Sequence, residues 1–167
     1  FITHHNSLDI AMYLRISNEM YLKRLIAGGI ERVYEFSPDF RNEGIDTTHN
    51  PEFTIIEMMT AYSDYKEGMN LIEEIIGYTA KKCLGTTVIK YKGHKIDMGR
   101  WERITMVDSI KKYLDFDAKK ASTAKLLDFA KYHHLKVSKS MPRGVLINEI
   151  FEEIVQPKII QPTIVYE

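Results

Sequence analysis

At 167 residues and 44% hydrophobic content, the chain is long enough to bury a sizeable core in one globular domain. Its 23 basic and 23 acidic residues cancel, which excludes bulk electrostatic attraction to nucleic acid, so any RNA contact must be local. A single cysteine, Cys83, excludes an internal disulfide framework, and no apolar run is long enough to span a membrane.

Residues 1–17 read mostly as extended structure, with Met12, Leu14 and Ile16 alternating against Tyr13 and Arg15. The adjacent His4 and His5 would face opposite sides of a strand and cannot chelate one metal together. Ser17 or Asn18 can cap a helix from Glu19 to Ala27, which Gly28 and Gly29 end. Glu19 in its first turn complements the helix dipole. Two extended arms follow, Val33 to Arg41 and Phe53 to Tyr62, separated by a polar turn from Gly44 to Asn50, which is a hairpin pattern.

Ser63 or Asp64 then starts the clearest helix of the chain, with Met69, Leu71, Ile72, Ile75, Ile76 and Thr79 on its apolar stripe and Lys81 and Lys82 at its end. Cys83 closes that helix and reads as a small buried residue. Val88 to Met98 reads as a second hairpin turning at Lys92-Gly93. Thr105 and Asp108 resemble a capping box for a short helix from Met106 to Tyr113, with Trp101 as a packing anchor just before it. Ala118 to His134 is helical by composition, and its lysines (Lys119, Lys120, Lys125, Lys131) read as a solvated face. A loop near Pro142 and Gly144 leads into an amphipathic helix that Pro157 stops, and Gln161 to Tyr166 reads as a last strand. Strands and helices succeed one another without strict βαβ alternation. The expectation is therefore an α+β fold, a mainly antiparallel sheet flanked by helices.

The chemistry concentrates in residues 40–57, FRNEGIDTTHNPEFTIIE. Strand alternation puts Arg41 and Glu43 on one face of the first arm, and Phe53, Ile55, Glu57 and Met59 on one face of the second. If the two sets meet, a cation, two carboxylates and an aromatic plate converge. Such a face suits a ligand with both a phosphate and a flat base. Arg offers a planar fork of donors to phosphate or carboxylate oxygens, Phe a stacking surface, and Glu57 a partner for an amine. The same pattern also describes an exposed amphipathic hairpin laced with surface ion pairs.

FRNEG followed by HNPEFT resembles motif 2 of the class II aminoacyl-tRNA synthetases, in the form found in the lysine enzymes. The likeness extends through FITHHN, MYLRISNEMYLKRLIAGGIERVYEF, AYSDYKEGMNLIEEI and EIFEEIVQPKIIQPT, and so covers essentially the whole chain. It implies a class II catalytic-domain fold, present here in part over residues 1–167. Motifs 1 and 3 and an anticodon-binding OB domain are expected outside this sequence. The implied activity is ATP-dependent formation of lysyl-adenylate, followed by transfer of lysine to tRNA(Lys). Implied with it are magnesium ions held by residues beyond Glu167, a homodimer, no membrane, and a cytoplasmic or organellar compartment. The isolated 167 residues are expected to be weakly active or inactive.

Residue by residue, the resemblance assigns Arg41 as the catalytic arginine that bridges the α-phosphate and the lysine carboxylate. Glu43, His49 and Asn50 fall to the nucleotide, with His49 on its distal phosphate side, and Phe53 falls to adenine. Glu19 is assigned to the α-amino group of lysine and Glu57 to the ε-amine. One position departs from the pattern, because Met59 stands where many lysine enzymes carry Tyr, removing a hydroxyl expected in the lysine pocket. Two other readings belong to the same residues: a paralogue that lysylates a protein acceptor, and a non-catalytic binding module descended from a synthetase.

Overall fold

A computed structural model describes residues 1–167. The chain divides into two compact units, Phe1–Asp64 and Tyr65–Glu167. The fold is α+β and mainly antiparallel, as the element pattern predicts: three of the four strand pairs are antiparallel and one is parallel. No helix is long and apolar enough to cross a membrane.

The first unit holds β1 (Ile2–His5), β2 (Ile10–Tyr13), α1 (Glu19–Ala27), β3 (Arg32–Phe40) and β4 (Glu52–Thr60). β3 and β4 form a nine-residue antiparallel ladder that runs from Arg32 opposite Thr60 to Phe40 opposite Glu52. Burial alternates along both strands, so Val33, Glu35, Ser37 and Asp39 share one face with Phe53, Ile55, Glu57 and Met59. Pro38 costs the ladder nothing. The N–H of Phe40, two residues on, points away from β4 and donates to the Arg15 carbonyl at 2.7 Å, and the missing N–H of Pro38 falls on that same side. α1 ends at Gly28, with Gly29 at φ 97°, a left-handed conformation that favours glycine. Asn18 sits at its N-cap without a side-chain capping bond, while the Ser17 hydroxyl accepts from Glu19 N–H at 3.2 Å.

The second unit begins with α2 (Tyr65–Leu84), followed by the hairpin β5 (Val88–Tyr91) and β6 (His94–Asp97), which turns at Lys92-Gly93 as expected. β7 (Glu102–Thr105) leads into α3 (Met106–Leu114), where the Thr105 hydroxyl accepts from Asp108 N–H and donates to the Asp108 carboxylate. α4 is shorter than composition suggests, Thr123–Tyr132 rather than 118–134, because Ser122 supplies the N-cap by accepting from Lys125 N–H. α5 (Arg143–Ile150) runs on into a π-helical turn, Phe151–Val155, and a 3₁₀ turn, Gln156–Lys158, containing Pro157. β8 (Thr163–Tyr166) pairs in parallel with β7. Ile110, Leu126, Ala130, Leu146, Ile150 and Val155 are fully buried in one apolar cluster of these helices. Trp101 is half-buried, its indole N–H donating to the Met98 carbonyl. Cys83 is exposed, contrary to the expectation of burial.

Candidate functional site

The loop between β3 and β4 is built by backbone closure at its root and a side-chain clasp at its tip. Arg41 N–H donates to the Pro51 carbonyl at 2.9 Å, extending the ladder by one step. Beyond it the chain leaves strand geometry, since Glu43 N–H folds back onto the Arg41 carbonyl. Arg41 and Glu43 are therefore brought together by this tight turn and not by strand alternation, which stops at Phe40. The Asn50 carboxamide donates to the Glu52 carbonyl and fixes the return of the loop.

Asp46 clasps the tip. Its Oδ1 accepts from Thr48 N–H at 2.7 Å, from His49 N–H at 2.8 Å and from the Thr48 hydroxyl at 2.9 Å, while Oδ2 lies 2.9 Å from His49 Nδ1. These donors, the Thr48 backbone N–H first and the His49 ring next, hold the Asp46 carboxyl well below the usual carboxylate range. Asp46 was not legible as a site residue in the sequence. The available signal was an Asp two and three positions ahead of polar residues, the pattern of an Asx turn.

Arg41, Glu43, His49, Asn50 and Phe53 line one cavity of about 400 Å³, together with Asp46, Thr47 and Thr48. The Arg41 guanidinium lies 5.2 Å from the Phe53 ring centroid, and its Nε donates to the Ile16 carbonyl at 3.2 Å. That anchoring leaves the two Nη groups of the fork for a ligand. Cation, aromatic face and imidazole thus border a single space open to solvent.

The two carboxylates assigned to lysine lie apart from this cavity. Glu57 sits on β4 directly opposite Glu35, with Oε2 buried and without a hydrogen-bond partner. Glu35 is ion-paired with Arg15 and accepts from Asn18 Nδ2, and the Arg15 bond draws its carboxyl below the ordinary value. Glu19 pairs with Lys23 one turn on along α1. The pairing face of Glu57 also carries two fully buried polar residues, Ser37 and Asp39, with the Ser37 hydroxyl donating to Asp39 Oδ1 at 2.9 Å and Asp39 Oδ2 unpartnered. Met59 faces Val33 across the ladder. The hydroxyl nearest to it on that face of β3 belongs to Ser37, which is already committed to Asp39.

Residues 1–163 match the family described as tRNA synthetases class II (D, K and N). The chain belongs to this family. Over 169 residues it is 49% identical to a protein of Moorella thermoacetica named "Lysine--tRNA ligase", covering all of this chain and 35% of that protein. It is 51% identical over 170 residues to the protein of that name from a Thermoanaerobacter species, and 47% identical over 168 residues to that of Bacillus subtilis, with 34% of each relative covered. The chain thus spans about a third of the length of the curated relatives it matches. Within this class II chain, the segment that carries the motif 2 likeness is the β3–β4 hairpin and its loop.

Proposed function

We propose that the protein is a lysine-specific class II synthetase, which activates L-lysine with ATP and transfers it to tRNA(Lys), and that residues 1–167 carry the motif 2 part of its catalytic domain. The observation that carries this reading is the convergence of Arg41, Glu43, His49, Asn50 and Phe53 on one cavity, within a chain about half identical to lysine–tRNA ligases. Activation joins two anions, the lysine carboxylate and the α-phosphate. A protein assists by aligning them and by stabilising the charge that builds at phosphorus. Arg41, pinned at Nε by the Ile16 carbonyl, supplies that stabilisation through its Nη groups. Phe53 stacks adenine on the ring face beside Arg41, His49 meets the distal phosphates, and Glu43 and Asn50 complete the nucleotide wall.

Glu57 takes the ε-ammonium of lysine. Its buried, unpartnered Oε2 supports this role, because a substrate lacking the amine would leave that oxygen unpaired. Glu19 takes the α-amine once it gives up Lys23. ATP is the energy-supplying substrate. Magnesium is implied by the family, but no group of three or more His, Cys, Asp or Glu in this chain is arranged to hold a metal ion, and Asp46 is spent on Thr48 and His49. Metal ligands and the rest of the lysine pocket are placed, on this reading, in other parts of the longer protein, which acts as a homodimer.

The decisive test is lysine-dependent exchange of pyrophosphate into ATP by the intact protein, followed by transfer to tRNA(Lys). Exchange with lysine but not with aspartate or asparagine is expected. Transfer of lysine to a protein acceptor in place of tRNA would sink the tRNA part of the reading. Failure to form any adenylate would sink the whole.

A further inference from the structure

The mechanism above leaves Asp46 without a role, although it makes more hydrogen bonds than any other side chain of the loop. Its geometry bears on the proton inventory of His49. A neutral imidazole has one N–H and one bare nitrogen, and an ionised carboxylate can only accept. With both Asp46 oxygens within 3.0 Å of Nδ1, the proton of the neutral ring belongs on Nδ1. Nε2 is then the nitrogen left for a ligand in the cavity, and in the neutral ring it carries a lone pair. A lone pair repels a phosphate oxygen.

We infer that Asp46 is a positioning residue that makes His49 a proton-coupled phosphate sensor: when a triphosphate enters the cavity, His49 takes a proton from solvent onto Nε2 and donates it as a hydrogen bond to the distal phosphate, with Asp46 as the counter-ion behind Nδ1. The inference rests on the nucleotide reading of the site and adds to it a residue and a proton. The other charged groups lining the cavity are Arg41 and Glu43. Neither is hydrogen-bonded to the ring; Asp46 is, and an anion on each side of an imidazole favours its charged form.

Asp46→Asn is the informative change. An Asn oxygen still accepts from the Thr48 and His49 backbone N–H groups, but its amide nitrogen cannot accept from Nδ1. The loop closure is kept while the counter-ion is lost.

Isothermal titration of the intact protein with ATP, in buffers of different ionisation enthalpy near neutral pH, reads the protons taken up. Wild type is expected to take up a measurable fraction of a proton beyond that seen with His49→Gln. Asp46→Asn is expected to lose most of that excess and to bind ATP about tenfold more weakly, the cost of one charge-assisted hydrogen bond. AMP, which lacks the distal phosphates, should give no excess in any variant. Nitrogen-15 shifts of the wild-type ring test the starting state without any variant, and should show Nδ1 protonated and Nε2 bare in the neutral form. ATP binding with the same uptake in wild type and Asp46→Asn, or with none in wild type, overturns the inference and leaves the nucleotide reading standing. No ATP binding by wild type overturns both.

Discussion

The two units bury opposite kinds of residue. In Tyr65–Glu167 the fully buried side chains are almost all apolar and belong to one cluster, and two of the helices feeding it start with side-chain caps. In Phe1–Asp64 the buried set is Leu22 with Asn18, Ser37 and Asp39, and three buried oxygens, on Asn18, Asp39 and Glu57, have no partner. Large apolar side chains such as Ile2, Tyr13, Tyr34 and Phe36 are meanwhile more than 65% exposed. Buried polar atoms without a protein partner are met by water, an ion or a ligand, or mark strain. On the proposed function this contrast is a division of labour, with cohesion in the second unit and ligand recognition in the first.

Mutations that separate cohesion from recognition test that division. Leu126→Ala, at a fully buried site, should destabilise the second unit by about 3 kcal/mol, read as a drop in its denaturation midpoint. An equal loss from the exposed Leu25→Ala in α1 would break the contrast. Arg41→Ala should slow lysine-dependent exchange by a factor of about 100 or more, a barrier of roughly 3 kcal/mol, with the midpoint hardly moved. Arg41→Lys should recover little, because an ammonium keeps the charge but not the fork. Thr105→Ala removes the α3 cap and should cost about 1 kcal/mol in stability with exchange unaffected.

The smallest effect is in pH. The Asp46 carboxyl is depressed in the folded chain, so its contribution is present above the ordinary aspartate pKa of about 4 and is lost as pH falls through its lower folded value. Amide exchange at Thr48 and His49 should therefore stay protected at pH 5 and loosen only in strong acid. Loosening already at pH 6 would show that the clasp does not depend on the Asp46 charge.

The hairpin, its inward face and the start of α3 were readable because each depends on short-range rules: alternation of side chains, a polar turn, a Thr three residues ahead of an Asp. The end of strand geometry at Phe40 was not, since the fold-back of Glu43 onto Arg41 is a backbone choice that no residue pattern there forces. Alternation carried past it predicted the right neighbours, Arg41 and Glu43, for the wrong reason. Alternation alone leaves open whether Glu57 joins them, and in the fold Glu57 lies four residues along β4 from Phe53 and faces Glu35 instead. α4 starts later than composition predicts because, although Ala118 and the lysines near it are good helix formers, propensity yields to a cap when Ser122 can supply one. Cys83 is exposed although the helix pattern predicts burial, because periodicity fixes which residues share a helix face but not what that face meets.

The parallel pairing of β7 with β8 has a consequence for the order in which the chain folds. Glu102 meets Thr163, and everything between Thr105 and Thr163 is a helical excursion that leaves one strand and returns to the other. Contacts among α3, α4 and α5 are closer in sequence and can form while the chain is still emerging from the ribosome. The strand pair must wait until residue 163 has been made and a long loop closed. The helical cluster should thus appear early as a nearly independent nucleus, and β8 should dock last. A chain stopped at Ile160 would then be expected to keep the helices and lose only the seam that joins their two ends.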